Sequence, residues 1–148
     1  MFPETARGTY ILILRLASPA ELTIGRLGSF SFAAGWYAYV GSAFGAGGLR
    51  GRLKHHLSSQ HRMHWHIDYL AQPAPINAIW YLASETCYEH QWAAVLATLP
   101  NASIPVQRFG ASDCKCPSHL FYFATEPSFD AFRKLTLEHG DVRCYYNQ

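Results

Sequence analysis

Arg52 and His56 stand four residues apart, so a helix would set a guanidinium and an imidazole one turn from each other on a single face. Gly45, Gly47 and Gly48 precede them. A planar guanidinium fork fits the oxygens of a phosphate, and an imidazole can donate or accept a proton beside it. The alternative is a solvated helix face carrying Arg50, Arg52, Lys54, His55 and His56. Two tyrosines, Tyr10 and Tyr39, each lie near a glycine in strand-like surroundings, where tyrosines usually serve the core. A second set, Cys114-Lys-Cys116-Pro-Ser-His119, offers soft ligands for zinc. Common structural zinc sites use C-x₂₋₄-C and a second ligand pair, which the sequence does not clearly supply. The other reading is a tight turn with small buried thiols and a hydrogen-bonded His119. A third set, His64, His66 and Asp68, shares one face if the segment is a strand; it suits either metal ligation or a hydrogen-bonded sheet face.

The elements that must position these groups follow from periodicity. Gly8–Leu16 is aliphatic and β-branched and predicts a buried strand. Glu21–Leu27, Phe30–Phe32 and Trp36–Val40 continue an antiparallel meander. Leu49, Leu53 and Leu57 recur every four residues and predict a helix that turns them inward. His64–Leu70 alternates as a strand, ended by the prolines at 73 and 75, and Ile76–Ala83 predicts another strand. Glu85–Leu99 predicts a helix capped by Ser84 or Thr86. A loop from Pro105 to Pro117 precedes a strand over His119–Ala124. Ser128–His139 predicts a closing helix with Phe129, Phe132 and Leu135 on one side. The expected fold is α/β (α+β): a central mixed or antiparallel sheet, three flanking helices and one domain over 1–148.

Composition and charge narrow the function. Of 148 residues, 49% are hydrophobic and 15% charged, against about 25% charged in an average domain, which excludes a disordered chain. The apolar runs are short of the roughly 20 residues a membrane helix needs. The amino terminus, MFPETARGTY, lacks the basic flank, apolar stretch and cleavage site of a secretory signal, so the cytoplasm and four reduced cysteines are expected. The net charge of +2 conceals segregation. Residues 22–67 contain Arg26, Arg50, Arg52, Lys54 and Arg62, no acid, and five of the eight histidines. Such a segment suits a polyanion.

Gly8-Thr9-Tyr10, Tyr39-Val40-Gly41-Ser42, Leu49-x-x-Arg52-Leu53-x-x-His56 and Glu89, in that order, resemble the GIY-YIG nuclease family. The resemblance spans about residues 8–99. GWYAYVGSA, LRGRLKHHL, HWHIDYL, CYEH and FGASDCKCPSHLFYF are similar to its single-domain DUF123 or Uri-type branch, to about residue 124. Thr9 stands where the family has Ile, a change a strand tolerates, and the two tyrosines are 29 positions apart, more than in compact members, so that against the family residues 17–36 read as an inserted hairpin. The resemblance implies a metal-dependent DNA endonuclease, structure-directed or weakly sequence-specific, acting on branched or single-stranded DNA among its targets. Tyr39 would be the general base or water positioner, with Tyr10 its partner, Arg52 the phosphate ligand (Arg50 the alternative) and His56 near the nucleophile. Glu89 would be the single carboxylate for Mg²⁺ or Mn²⁺. Arg50, Lys54, His55 and Arg62 would contact nucleic acid, and Trp36 or Trp65 would stack on an unpaired base. The cysteine loop could line the cleft near Glu89 through Asp113 or His119. Rival readings are a non-catalytic nucleic-acid-binding module of the same fold and a zinc-stabilised interaction domain.

Overall fold

The most apolar stretch of the chain becomes the strand with neighbours on both sides and helices on both faces. In the computed structural model, which describes residues 5–58, 62–111 and 114–147, β1 (Gly8–Leu16) runs between β4 (Gly35–Ala43) and β5 (Ile76–Ala83). Eight of its nine residues are buried. With β6 (Leu120–Phe123) and β7 (Arg143–Tyr146) the sheet order is β6-β4-β1-β5-β7, and every pairing is antiparallel. Strand alternation sends Tyr10, Leu12 and Leu14 into one core layer and Ile11 and Ile13 into the other, the division a two-faced strand requires.

The first layer is covered by α1 (Gly48–Leu57), α2 (His66–Ala71) and a separate two-stranded sheet of β2 (Ala20–Ile24) and β3 (Gly28–Phe32). The second is covered by α3 (Glu89–Thr98) and α4 (Phe129–Leu135), with a 3₁₀ turn at Leu137–His139. The fold is thus α+β, a five-stranded antiparallel sheet flanked by four α-helices among the described residues. None of those helices is long and apolar enough to cross a membrane. The β2–β3 hairpin leaves the main sheet, so β1 pairs with β4 directly. That detour absorbs the long spacing between the two tyrosines.

Several expectations give way. The segment expected as a strand over His64–Leu70 is helical from His66, because Asp68 turns back on the chain and accepts the N–H groups of His64 and Trp65, both at 2.8 Å. A carboxylate at that place caps the helix and overrides a seven-residue alternation. The helix expected from Glu85 begins at Glu89. Ser84 Oγ accepts the Thr86 N–H at 3.1 Å, and this local turn competes with a cap. The closing helix stops at Leu135, where the Thr136 hydroxyl bonds back to the Phe132 carbonyl at 2.9 Å; Leu135 is exposed while Phe132 is buried. β7 is an edge strand that the sequence reading lacks, and the described residues form four α-helices, not three.

Candidate functional site

The register of β1 against β4 pairs Tyr10 with Gly41 and Leu12 with Tyr39, so the two tyrosines are diagonal neighbours on one face. Both are buried. The Tyr10 ring lies across Gly41, where a Cβ would stand 2.6 Å from both its Cζ and its hydroxyl oxygen. Gly110, at φ +69, performs the same service for Tyr39, with a would-be Cβ 2.8 Å from the Tyr39 ring. Burial pushes both phenols well above the usual tyrosine range, only partly opposed by the Arg52 charge, and the Glu89 carboxylate raises them further. At neutral pH both carry their protons. The Tyr10 hydroxyl lies 2.8 Å from His56 Nε2.

α1 holds Leu49 and Leu53 fully buried and thereby sets the direction of its other side chains. His56 is drawn inward beneath Tyr10, while Arg52 is half-buried at the cavity. Arg52 donates to the Ser42 carbonyl at 2.8 Å, and its guanidinium lies 4.5 Å from the Trp65 ring centre. Of the two candidate phosphate arginines, Arg52 lines the cavity, whereas Arg50 is exposed. Lys54 and Arg62 are exposed as well. His55 is half-buried and approaches Asp68 Oδ1 at 3.2 Å. The two tryptophans considered as stacking platforms already carry arginines, Arg52 on Trp65 and Arg15 on Trp36.

Glu89 comes from the opposite core layer, at the first residue of α3. Its position is fixed from β1: the buried Thr9 hydroxyl accepts the N–H of Tyr88 at 3.0 Å. Thr9 is therefore more than a tolerated replacement. Ser42 Oγ donates to Glu89 Oε1 at 2.7 Å, so one residue holds Arg52 by its carbonyl and Glu89 by its hydroxyl. His119 Nδ1 lies 2.9 Å from Glu89 Oε2, in ion-pair range but off the line of a ring hydrogen bond. Burial raises the carboxyl's pKa, but His119, Ser42 and the neighbouring His90 outweigh it and hold Glu89 below the ordinary carboxylate value. It is an anion at neutral pH. The groups meet at a cavity of about 210 Å³, whose wall includes Tyr10, Tyr39, Arg52, Trp65, Glu89 and His119.

His64, His66 and Asp68 do not share the strand face on which either a ligand row or a hydrogen-bonded sheet face would rest, because the segment is helical from His66. Asp68 is fully buried as the helix-capping acceptor, and His66 Nδ1 accepts the Gly110 N–H at 2.8 Å. His66 thus tethers the loop that presses on Tyr39. Asp113 lies outside the described residues. The sequence reading missed the tie through Ser42, the anchoring by Thr9 and the nearness of His90; Ser42 and Thr9 sit inside the motifs it noted, but their partners lie 47 and 79 residues away.

A family model described only as a domain of unknown function, DUF123, matches residues 9–140. No curated protein matches the chain. No solved structure matches it either.

Proposed function

The chain belongs to the DUF123 family, and from the site this fold assembles we propose that it is a metal-dependent DNA endonuclease of the GIY-YIG type. The observation that carries the reading is the double anchorage at Ser42, which holds a guanidinium and an ionised carboxylate at one polar cavity. A phosphate-binding surface has no use for that carboxylate, which repels phosphate unless a cation intervenes. Glu89 fits such a cation: it is ionised, lines the cavity, and each oxygen keeps a lone pair beyond its contact with Ser42 or His119. Mg²⁺ or Mn²⁺, bound by one carboxylate and otherwise by water, would supply charge stabilisation at the phosphate and its leaving oxygen.

The chain's own groups divide the remaining work. Arg52, braced by Ser42 and Trp65, binds the phosphoryl oxygens and stabilises the charge that develops on them. Because burial keeps its phenol protonated, Tyr39 orients the attacking water by hydrogen bonding. The Tyr10–His56 pair receives the water's proton at the Tyr10 oxygen as the Tyr10 proton passes to His56 Nε2, general-base catalysis through a hydroxyl. Arg50, Lys54 and Arg62, all exposed, attract the DNA backbone in a salt-dependent manner. With so few cations, structure-directed or weakly sequence-specific cutting, branched and single-stranded DNA included, is the activity assigned, in the cytoplasm.

Cleavage of plasmid and of branched or flapped DNA with Mg²⁺ or Mn²⁺ tests the proposal, comparing the native chain with Glu89→Ala and Arg52→Ala. Loss of one such charge-stabilising group costs about 10²–10³ in rate, so both variants should be silent. No cutting by the native chain, with salt-sensitive binding intact, would make it a non-catalytic nucleic-acid-binding module. Cutting that survives both substitutions would remove the site assignment.

A further inference from the structure

The loop before β6 closes on itself. The His119 N–H bonds to the Phe109 carbonyl at 2.8 Å, Cys114 N–H to the Ala111 carbonyl at 3.3 Å, and Arg108 Nη1 to the Cys116 carbonyl at 2.7 Å. This fold presents Cys114, Cys116 and His119 to one point, and α3 brings His90 to the same point from the first turn beside Glu89. One ligand atom from each of the four lies within 4.8 Å of all the others. We propose that His90, Cys114, Cys116 and His119 form a four-ligand zinc site on the wall of the candidate active site.

The donor chemistry selects the metal. Two thiolates and two imidazoles suit Zn²⁺ and disfavour the hard cations that carboxylate and water prefer. Zinc bonds of about 2.3 Å to sulfur and 2.0–2.1 Å to nitrogen put tetrahedral ligand atoms roughly 3.3–3.8 Å apart. Cys114 Sγ and His119 Nε2 are already 3.3 Å apart, and the other ligand atoms lie within 4.8 Å, leaving on the order of 1 Å to close to tetrahedral spacing. The surroundings complete the case. The Cys116 N–H points at Cys114 Sγ at 3.4 Å, a donor that favours a thiolate there. His119 turns Nε2 toward the sulfur and keeps Nδ1 2.9 Å from Glu89 Oε2, so that a turn of the ring on binding zinc would align the carboxylate–histidine pair that orients metal-bound imidazoles. Its Nδ1 is otherwise a buried atom without a hydrogen bond. The missing second ligand pair is thus completed by His90 from a helix that no local spacing rule connects to the loop. Four protein ligands leave no open position, so the ion is structural. It ties the loop carrying Gly110 and His119 to α3, fixing the wall behind Tyr39 and Glu89.

The test needs no DNA cleavage, so the outcomes of the two proposals are separable. Untagged full-length chain, purified without chelator, should contain about one zinc per chain. Exchange into Co²⁺ should give thiolate charge-transfer and tetrahedral ligand-field bands. Cys114→Ser should abolish both signals. His90 is exposed, so His90→Ala leaves the core intact; with an unchanged circular dichroism spectrum it should bind zinc at least tenfold more weakly. Cys87→Ser and Cys144→Ser, outside the cluster, serve as controls and should retain the metal. Absence of zinc together with no cobalt spectrum overturns the proposal, as does full zinc affinity in folded His90→Ala.

Discussion

Gly41→Ala isolates the contact that shapes the site. Gly41 is not among the glycines with positive φ, so an added methyl group meets no backbone strain and the effect is steric. Its Cβ would stand 2.6 Å from Tyr10 Cζ and the hydroxyl oxygen, short of the roughly 3.5 Å optimum by about 1 Å. The ring has nowhere to go, because Tyr10 is 1% exposed and its hydroxyl is held by His56. Overpacking of this kind costs about 1–3 kcal/mol, and loss of the Tyr10–His56 hydrogen bond adds about 1 kcal/mol. The total, about 2–4 kcal/mol, corresponds to a fall in Tm of about 6–12 °C for a chain of this size. Urea unfolding should be measured for Gly41→Ala, for Tyr10→Leu and for the pair. In the Tyr10→Leu background the methyl meets a shorter side chain and should cost less than about 1 kcal/mol, a coupling that a double-mutant cycle reads directly. An equal cost in both backgrounds, or a single variant within about 0.5 kcal/mol of the native chain, would refute the steric argument.

Two further outcomes follow from polar contacts. Burial lowers the pKa of His66 below its ordinary 6.5, and its Nδ1 accepts the Gly110 N–H. The stability it contributes is therefore complete above about pH 6.5 and is lost as pH falls through the lowered folded value. Unfolding midpoints from pH 7.5 to 5 should show that loss, and His66→Gln should flatten it; an unchanged profile would contradict the tether. Thr9→Val keeps the shape of the buried side chain but strips the Tyr88 N–H of its acceptor, costing about 1–2 kcal/mol. Because the same bond sets the start of α3, the proposed DNA cutting should fall with it. Normal stability in urea would deny the anchor.

What the sequence made legible was what is local and long enough to show a period. The apolar run Tyr10–Leu14 inside Gly8–Leu16 and the four-residue leucine spacing of α1 correspond to observed elements almost residue for residue. Seven residues from His64 to Leu70 satisfy a strand's alternation, yet Ile67 and Leu70, both buried, also satisfy a helix's spacing of three. The Asp68 cap decided between them. β7 is four residues of Arg-Cys-Tyr-Tyr at a sheet edge, none of them buried, and is too short to show a period. At the site, α1 placed Arg52 and His56 as its spacing required, but Glu89 is held by Ser42 across 47 residues and by Thr9 through Tyr88. Periodicity contains no information on such pairings.

The dipeptide Thr9-Tyr10 has a consequence for folding fidelity. Its two side chains leave opposite faces of β1, one reaching the start of α3 and the other meeting His56. A slip of β1 by one residue would exchange them. It would set a phenol where the Tyr88 N–H requires a small acceptor and a short hydroxyl where His56 requires a ring. Assembly of the site is in this sense a proofreading step for strand pairing: a mispaired chain cannot hold a half-working site, because the residues that detect the error are the ones that build it.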